Sequence, residues 1–166
     1  LNEPTFRVYG TFTAEPLSPT IDLSEWGPGI GVRAIGFDLR RNLATGVLSN
    51  GVAVSVEMET WTVQRVWAVE ETGGIFGIAY ARDADIMVTR SQDGLVSVRD
   101  PETFDVVSRY AGGSAITDRL GVGLALSNDG QYLMSTSGHF PRLWDLDSGV
   151  LLGEFPHESG LVANVY

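Results

Sequence analysis

Two histidines, two pairs of close aspartates and three glycine clusters are where side-chain spacing in this 166-residue chain could suggest chemistry. His139 and His157 are the only histidines, and their nearest acids in sequence are Asp145, Glu154 and Glu158. A general base needs a group that orients it, and a serine nucleophile needs a sharp turn such as Gly-x-Ser-x-Gly. No serine stands in such a turn, so both histidines read as loop residues and no catalytic residue is expected. Asp83 with Asp85, and Asp145 with Asp147, form Asp-x-Asp pairs. A calcium loop requires further oxygen ligands at ordered intervals, which neither pair provides, so both fit turn chemistry instead. Gly73-Gly74, Gly112-Gly113 and Gly121-x-Gly123 lack the lysine and the strand-to-helix setting of a phosphate loop. Without cysteine there is no thiolate metal site, disulfide or cysteine nucleophile. Neither a metal nor a cofactor is expected.

The formal charge of −10 comes from 21 acidic against 11 basic residues. Such a surface repels phosphate backbones, which excludes nucleic acid as a partner class. With 43% hydrophobic and 19% charged residues the composition is that of a globular chain. No apolar run reaches the roughly 18 residues of a membrane helix, so no membrane association is expected. No signal peptide opens the chain; it starts at Leu1 and reads as cut from something longer, with a cytoplasmic setting favoured.

The elements that must position any site are strands. One stretch, Arg142 to Leu152 (RLWDLDSGVLL), reads as strand, tight turn and strand, and it recurs from Arg7, Ala53 and Val96. The copies superpose Tyr9, Val56, Arg99 and Trp144, at steps of 47, 43 and 45 residues. A period of about 40–45 residues with four strands per unit marks a propeller blade. Alternation predicts strands at Thr5–Thr13, Ile21–Trp26, Gly31–Phe37, Leu43–Leu48, Val52–Met58 and Trp61–Val69. The last could be drawn as a short amphipathic helix, but β-branched and aromatic content favours strand. Strands follow at Ile75–Tyr80, Asp85–Arg90, Leu95–Arg99, Val106–Tyr110, Gly121–Leu126, Tyr132–Thr136, Phe140–Leu146 and Val150–Phe155, and Leu161–Tyr166 opens another unit. Asn50-Gly51 and Asp93-Gly94 are two-residue hairpin signals 43 positions apart. The expected fold is all-β: a propeller of four-stranded antiparallel blades, three complete, with partial blades at both ends. One partial propeller domain spans 1–166, with units at 1–26, 27–70, 71–113, 114–156 and 157–166.

These repeats resemble the WD-repeat β-propellers. Arg142-Leu143-Trp144-Asp145 is similar to the motif that names the family, and Leu124-Ala125-Leu126-Ser127-Asn128-Asp129-Gly130 to the first strand and turn of such a repeat. Phe155-Pro156-His157 resembles a degenerate Gly-His loop. The resemblance implies a polar tetrad of loop His, second-strand Ser or Thr, turn Asp and third-strand Trp. The third unit offers Trp144 with Thr136, and the second offers Ser91 and Asp93 with Arg99 in place of Trp. No unit is complete, so apolar packing is expected to dominate between blades. Trp61 and Trp144 are assigned to that packing, and Trp26, among glycines and proline, is the one expected to be exposed.

Function on such an architecture lives on loops held by a rigid scaffold. The loops joining fourth to first strands, and second to third, gather on one rim. They contribute Glu70, Glu71, Gln92, Asp118, Arg119, His139, His157 and Glu158 as candidate binding residues. The set suits a protein or peptide partner, a basic or arginine-bearing one in particular. Unpaired outer edges and faces suit further blades, from the parent chain or a second copy. The expectation is a non-catalytic interaction scaffold. The alternative is a sensing or regulatory propeller in a larger enzyme or signalling protein whose catalytic part lies outside this chain.

Overall fold

The computed structural model describes residues 5–9, 13–27, 31–69, 74–111, 123–137 and 140–155. The chain divides into two compact units, Leu1–Glu70 and Glu71–Tyr166. The first contains β1 (Thr5–Phe6), β2 (Ile21–Asp22), a 3-10 turn (Ser24–Trp26), β3 (Val32–Asp38), β4 (Leu43–Leu48), β5 (Val52–Glu57) and β6 (Val63–Ala68). The second contains β7 (Ile75–Tyr80), β8 (Met87–Ser91), β9 (Leu95–Arg99), β10 (Val106–Ala111), β11 (Leu124–Leu126), β12 (Tyr132–Ser137), β13 (Phe140–Asp145) and β14 (Val150–Glu154).

The fold is all-β. β3 to β6, β7 to β10 and β11 to β14 each form a four-stranded antiparallel sheet in sequence order. These are three complete propeller blades, preceded by the two-stranded β1–β2 sheet. The expected opening strand Leu161–Tyr166 lies outside the described residues, as do Gly121 and Val122 at the expected start of the third blade.

The turns explain the repeat. In each blade an acid at the end of the third strand caps the following turn. Asp145 Oδ1 accepts the Ser148 amide and hydroxyl, both at 2.8 Å. Asp100 Oδ1 accepts the Glu102 and Thr103 amides at 2.7 and 2.9 Å. Glu57 takes the Glu59 and Thr60 amides and the Thr60 hydroxyl. The fifth residue of each turn is then left-handed: Trp61 at φ 57°, Phe104 at φ 68° and Gly149 at φ 68°. Ala14, at φ 55°, occupies the same place in the N-terminal hairpin. The pairs closed around these turns are Tyr9↔Pro16, Val56↔Val63, Arg99↔Val106 and Trp144↔Leu151. Three copies of one hairpin therefore share backbone as well as spacing, and the described residues of the N-terminal copy agree with them at Ala14 and at the Tyr9↔Pro16 bridge.

A bulge follows in each copy. Gln64, Val107 and Leu152 are the extra residues on β6, β10 and β14, where the register shifts between Ser55/Val56, Val106/Ser108 and Leu143/Trp144. In the N-terminal copy the amides of Leu17 and Ser18 both point at Val8 O, at 2.8 and 3.4 Å. A bulge bends the strand and strengthens its twist.

Several expectations change in detail. The Thr5–Thr13 strand is short, since β1 ends at Phe6 and Tyr9 contributes only an isolated bridge. Ile21–Trp26 is a two-residue strand running into a 3-10 turn, with the Ser24 amide bonded to Asp22 Oδ1 at 2.8 Å. Trp61 lies in a turn, and β6 begins at Val63; the helical alternative for this stretch is not adopted. Asn50-Gly51 and Asp93-Gly94 do not form two-residue primed turns. Those need positive φ at both central residues, and here only Gly51 (83°) and Gly94 (86°) have it. The bonds Gly51 N to Leu48 O and Gly94 N to Ser91 O, both 3.1 Å, close a type I geometry with glycine in the left-handed place after it.

Each unit has its own core. In the first, Phe6, Ile21 and Leu23 pack on Ala44, Leu48, Val54 and Val56. The hairpin thus covers the middle strands of its neighbouring blade and leaves Ile35, Phe37, Val63 and Val66 at 40–45% exposure on the flanks. In the second, Val88, Val96 and Val98 of one blade pack on Leu133 and Leu146 of the next, with Leu124, Leu126 and Trp144 around them. The first-to-second-strand turns of these two blades also touch, through Asp83 N to Asn128 O at 2.7 Å. Tyr110 locks the pair: its hydroxyl donates to Leu146 O at 2.7 Å, and its ring fills the space over Gly149.

A Cβ at Gly149 would overlap Tyr110 Cε1 and Cδ1. Gly149→Ala is therefore expected to cost roughly 2–4 kcal/mol, left-handed strain plus overpacking. In a Tyr110→Ala background the same change should cost only about 1–2 kcal/mol, because the overlap is gone. Urea unfolding of the four proteins of this cycle checks it; equal costs in both backgrounds would show that the ring contact is not a constraint.

Candidate functional site

Gln92 is exposed on the turn between β8 and β9, where its backbone N–H donates to Gly74 O at 3.1 Å. Of the expected rim residues it alone is described; Glu70, Glu71, Asp118, Arg119, His139, His157 and Glu158 lie outside the described residues. No catalytic arrangement can be built around Gln92, an amide without a titratable proton.

The polar positions inside the blades differ from the expected tetrad. Trp144 Nε1 donates to Ser135 Oγ at 3.1 Å, not to Thr136. Successive strand residues face opposite sides, so Thr136 points the other way, where its hydroxyl accepts the Gly123 amide at 2.7 Å. In the second blade Arg99 Nε donates to Thr89 Oγ1 at 2.9 Å, while Ser91 serves the turn through Asp93 and Leu95 O. Register makes these pairs equivalent, because Met87↔Arg99 matches Leu133↔Trp144. Arginine thus replaces tryptophan as a planar N–H donor. Its Nη1 also caps Phe104 O at 2.8 Å, and its guanidinium stands 5.0 Å from the Phe104 ring centre. The same two places in the first blade are Gly46 and Val56, and the space over Gly46 belongs to Leu23 and Phe6. That blade is held without the polar pair.

Arg90, fully buried, spans the second and third blades and donates through Nη1 to Thr136 O. Burial pushes its pKa below the usual guanidinium value, and the charge of Arg142 adds to this. Arg142 itself pairs with Glu154. The Arg90 bond ties blade to blade, while the Arg142–Glu154 pair joins two strands of the third blade.

The accessible charge lies at one end of the sheets. In each antiparallel blade the first-to-second and third-to-fourth turns share an end, opposite the loops on which the candidate rim was placed. In the second unit this end exposes Asp83, Asp85, Glu102, Asp105, Asp129 and Asp147, with Arg82 the basic residue among them. The signal was present in the sequence: Glu57-Met58-Glu59-Thr60, Asp100-Pro101-Glu102-Thr103 and Asp145-Leu146-Asp147-Ser148 repeat acid, any, acid, hydroxyl. The first acid of each caps its own turn, and the second, Glu59, Glu102 or Asp147, is exposed. The Asp-x-Asp pairs are thus turn residues. Among the described residues no three His, Cys, Asp or Glu side chains converge as a metal site would require, and no helix is long and apolar enough to cross a membrane. Trp26, expected to be exposed, is half-buried against the first core, with its carbonyl accepting Asn50 Nδ2 at 2.7 Å.

The turn acids make stability depend on pH. The Ser148 amide and hydroxyl hold Asp145 below the ordinary carboxylate range, the Ser127 hydroxyl does so for Asp129, and the Thr60 hydroxyl for Glu57. A carboxyl depressed in the folded state stabilises it above the unfolded value of about 4, and that contribution is lost as pH falls through the folded value. Melting temperature should therefore drop as the pH is lowered through and below about 4. Asp129→Asn and Asp145→Asn together should flatten that drop, and an unchanged slope would remove these turns from the pH response. Separately, Trp144→Phe should cost about 1 kcal/mol through the lost N–H···Oγ bond. In a Ser135→Ala background the cost should be smaller, as chemical denaturation of both variants will show.

No family model matches the chain, and no curated protein does. Solved structures do match, 1192 chains in all. One is the crystal structure of the Mitotic Checkpoint Complex, with a TM-score of 0.76 and 16% identity, over 97% of this chain and 47% of that one. The chain spans about half the length of the structure it matches. At this identity the likeness is one of fold, and it agrees with the sheets described above.

Proposed function

We propose that this chain is a WD-repeat-like propeller portion that acts as a non-catalytic scaffold for protein partners, within one propeller domain built from the repeat units named above. The observation that supports it most is the pairing of four-stranded blades with turns whose second acid is exposed. Glu102 and Asp147 project from such turns, while Asp100 and Asp145 hold them in shape. The scaffold thus fixes negative charge in space without flexible loops, which suits a basic, arginine-bearing peptide. The partner class follows from that charge and from the net −10 of the chain. Further blades, from the parent chain or a second copy, would complete the domain.

Two rims can serve, and substitution separates them. Asp83→Asn, Asp105→Asn and Asp147→Asn combined should leave melting unchanged, since these exposed side chains cap no turn. The same protein should bind an arginine-rich peptide roughly tenfold more weakly at low salt, with a shallower salt dependence. Asp118→Ala with Arg119→Ala tests the opposite rim. Binding lost there alone would move the site to that rim, and binding unchanged in both would overturn the scaffold reading for basic peptides. Fluorescence anisotropy at two salt concentrations reads all three proteins.

A further inference from the structure

The turn between β4 and β5 holds both ends of the connection that leads from the 3-10 turn into the first blade. At one end, Asn50 Nδ2 donates to Trp26 O at 2.7 Å. At the other, Ser49 Oγ accepts the Gly31 amide at 3.1 Å, and the Ser49 amide donates to Gly31 O at 2.9 Å. This backbone clasp recurs one blade later as Gln92 N to Gly74 O. The side-chain latch has no such copy, because position 93 is aspartate and has no N–H to donate.

Two separate demands put asparagine before glycine here. The latch needs a side-chain amide at position 50, whose Oδ1 accepts the Val52 amide at 3.2 Å. Position 51 needs glycine, since φ is 83° and a Cβ would stand 3.0 Å from Val69 O. The resulting pair is chemically labile. Glycine has no side chain to shield its backbone nitrogen from the neighbouring Cγ. Asn2, Asn42, Asn128 and Asn164 precede Glu3, Leu43, Asp129 and Val165; Asn50 alone precedes glycine.

We propose that Asn50 is a site of spontaneous deamidation and that the reaction unlatches Trp26 from the first blade. The Gly51 nitrogen loses its proton to water and bonds to Asn50 Cγ. The Cγ–Nδ2 bond breaks, Nδ2 leaves as ammonia, and a cyclic succinimide remains. Water then opens the ring. Attack at Cγ restores the main chain and gives aspartate, and attack at the backbone carbonyl carbon gives isoaspartate. Nothing is oxidised or reduced, and water is the only co-reactant.

In the folded chain every reacting group is engaged. Gly51 N–H donates to Leu48 O at 3.1 Å, and both ends of the Asn50 amide are bonded. The attack therefore waits on local opening of the turn. The damage it does is selective. Aspartate suits the turn itself, since Asp93 Oδ1 accepts the Leu95 amide at 3.4 Å in the equivalent place. A carboxylate facing Trp26 O, however, brings two acceptors together with no proton between them. The turn recloses and the latch does not. Ile21 and Leu23 are buried at 6% and 0% in the core against which Trp26 packs, so the reaction loosens that segment irreversibly. The inference does not rest on the scaffold reading.

The full chain is held at mildly alkaline pH, with and without urea, and its peptides are followed by mass spectrometry. Deamidation should appear at Asn50 before Asn42 and Asn128, and urea should speed it at least roughly tenfold by opening the turn. Hydrogen exchange reads the latch, through the amides of Ser24, Trp26 and Gly27 that are bonded within residues 21–27. In the aged chain, and in Asn50→Asp made directly, these should exchange at least roughly fivefold faster than in the fresh chain, with β4 and β5 unchanged. Asn50→Gln, aged in the same way, should show no rise. Asp93→Asn added to Asn50→Gln installs the labile pair in the second blade, and its ageing should also leave residues 21–27 unchanged. Asn50→Ala, which lacks the donor, serves if Asn50→Asp does not fold by circular dichroism. Earlier reaction at Asn42 or Asn128 overturns the modification site, and equal rates with and without urea overturn its gating by the turn. Exchange that ignores both ageing and the loss of the donor, or that rises with reaction at position 93, overturns the latch.

Discussion

The structure depends on one local constraint: an acid at the end of a third strand, and a left-handed residue four positions later. The acid draws the amides of the turn together, and the left-handed residue turns the chain back into the fourth strand. Glycine meets the second requirement without strain, as at Gly149. Trp61 and Phe104 meet it at a cost of about 1–2 kcal/mol each, which their packing must offset. Phe104 is buried under the Arg99 guanidinium, and Trp61 lies against the first core. Bulky side chains here exchange backbone comfort for contact area.

Above that hairpin, each blade solves the same problem of filling the space between its second and third strands. The third uses tryptophan on serine, the second arginine on threonine, and the first fills this gap from the N-terminal hairpin and keeps its hydroxyl pair, Thr45 with Ser55, on the other face. A buried N–H and hydroxyl are costly if left apart and nearly neutral if replaced together. That is why Gly46 with Val56 can stand where Ser135 with Trp144 stands elsewhere. The blades are interchangeable in shape and distinct in chemistry.

Most of the strand order was legible in the sequence, because the period of the repeat and the alternation of side chains both survive divergence. Leu43–Leu48, Ile75–Tyr80 and Leu95–Arg99 fall where alternation puts them. What could not be read depends on one-residue phase. Whether Ser135 or Thr136 meets Trp144 is decided by which face a residue takes, and neighbouring hydroxyls look alike in sequence. The left-handed state of Trp61 was hidden because the residue type argues against it. Gly51 after Asn50 suggested a tighter turn than forms, since the dipeptide suits two geometries. The acidic end of the sheets was readable from the repeated acid-x-acid-hydroxyl run, but the reading of loops drew attention to the opposite end.

The bulges at Leu17, Gln64, Val107 and Leu152 bear on solubility. A straight outermost strand would present an unbroken row of hydrogen-bonding groups, a template on which other chains could polymerise. An extra residue in the same place on every outer strand interrupts that row and twists it out of plane. Val107 and Leu152 can therefore remain more than half exposed without offering a continuous seam. The repeat carries its own guard against fibril growth, copied wherever the hairpin is copied.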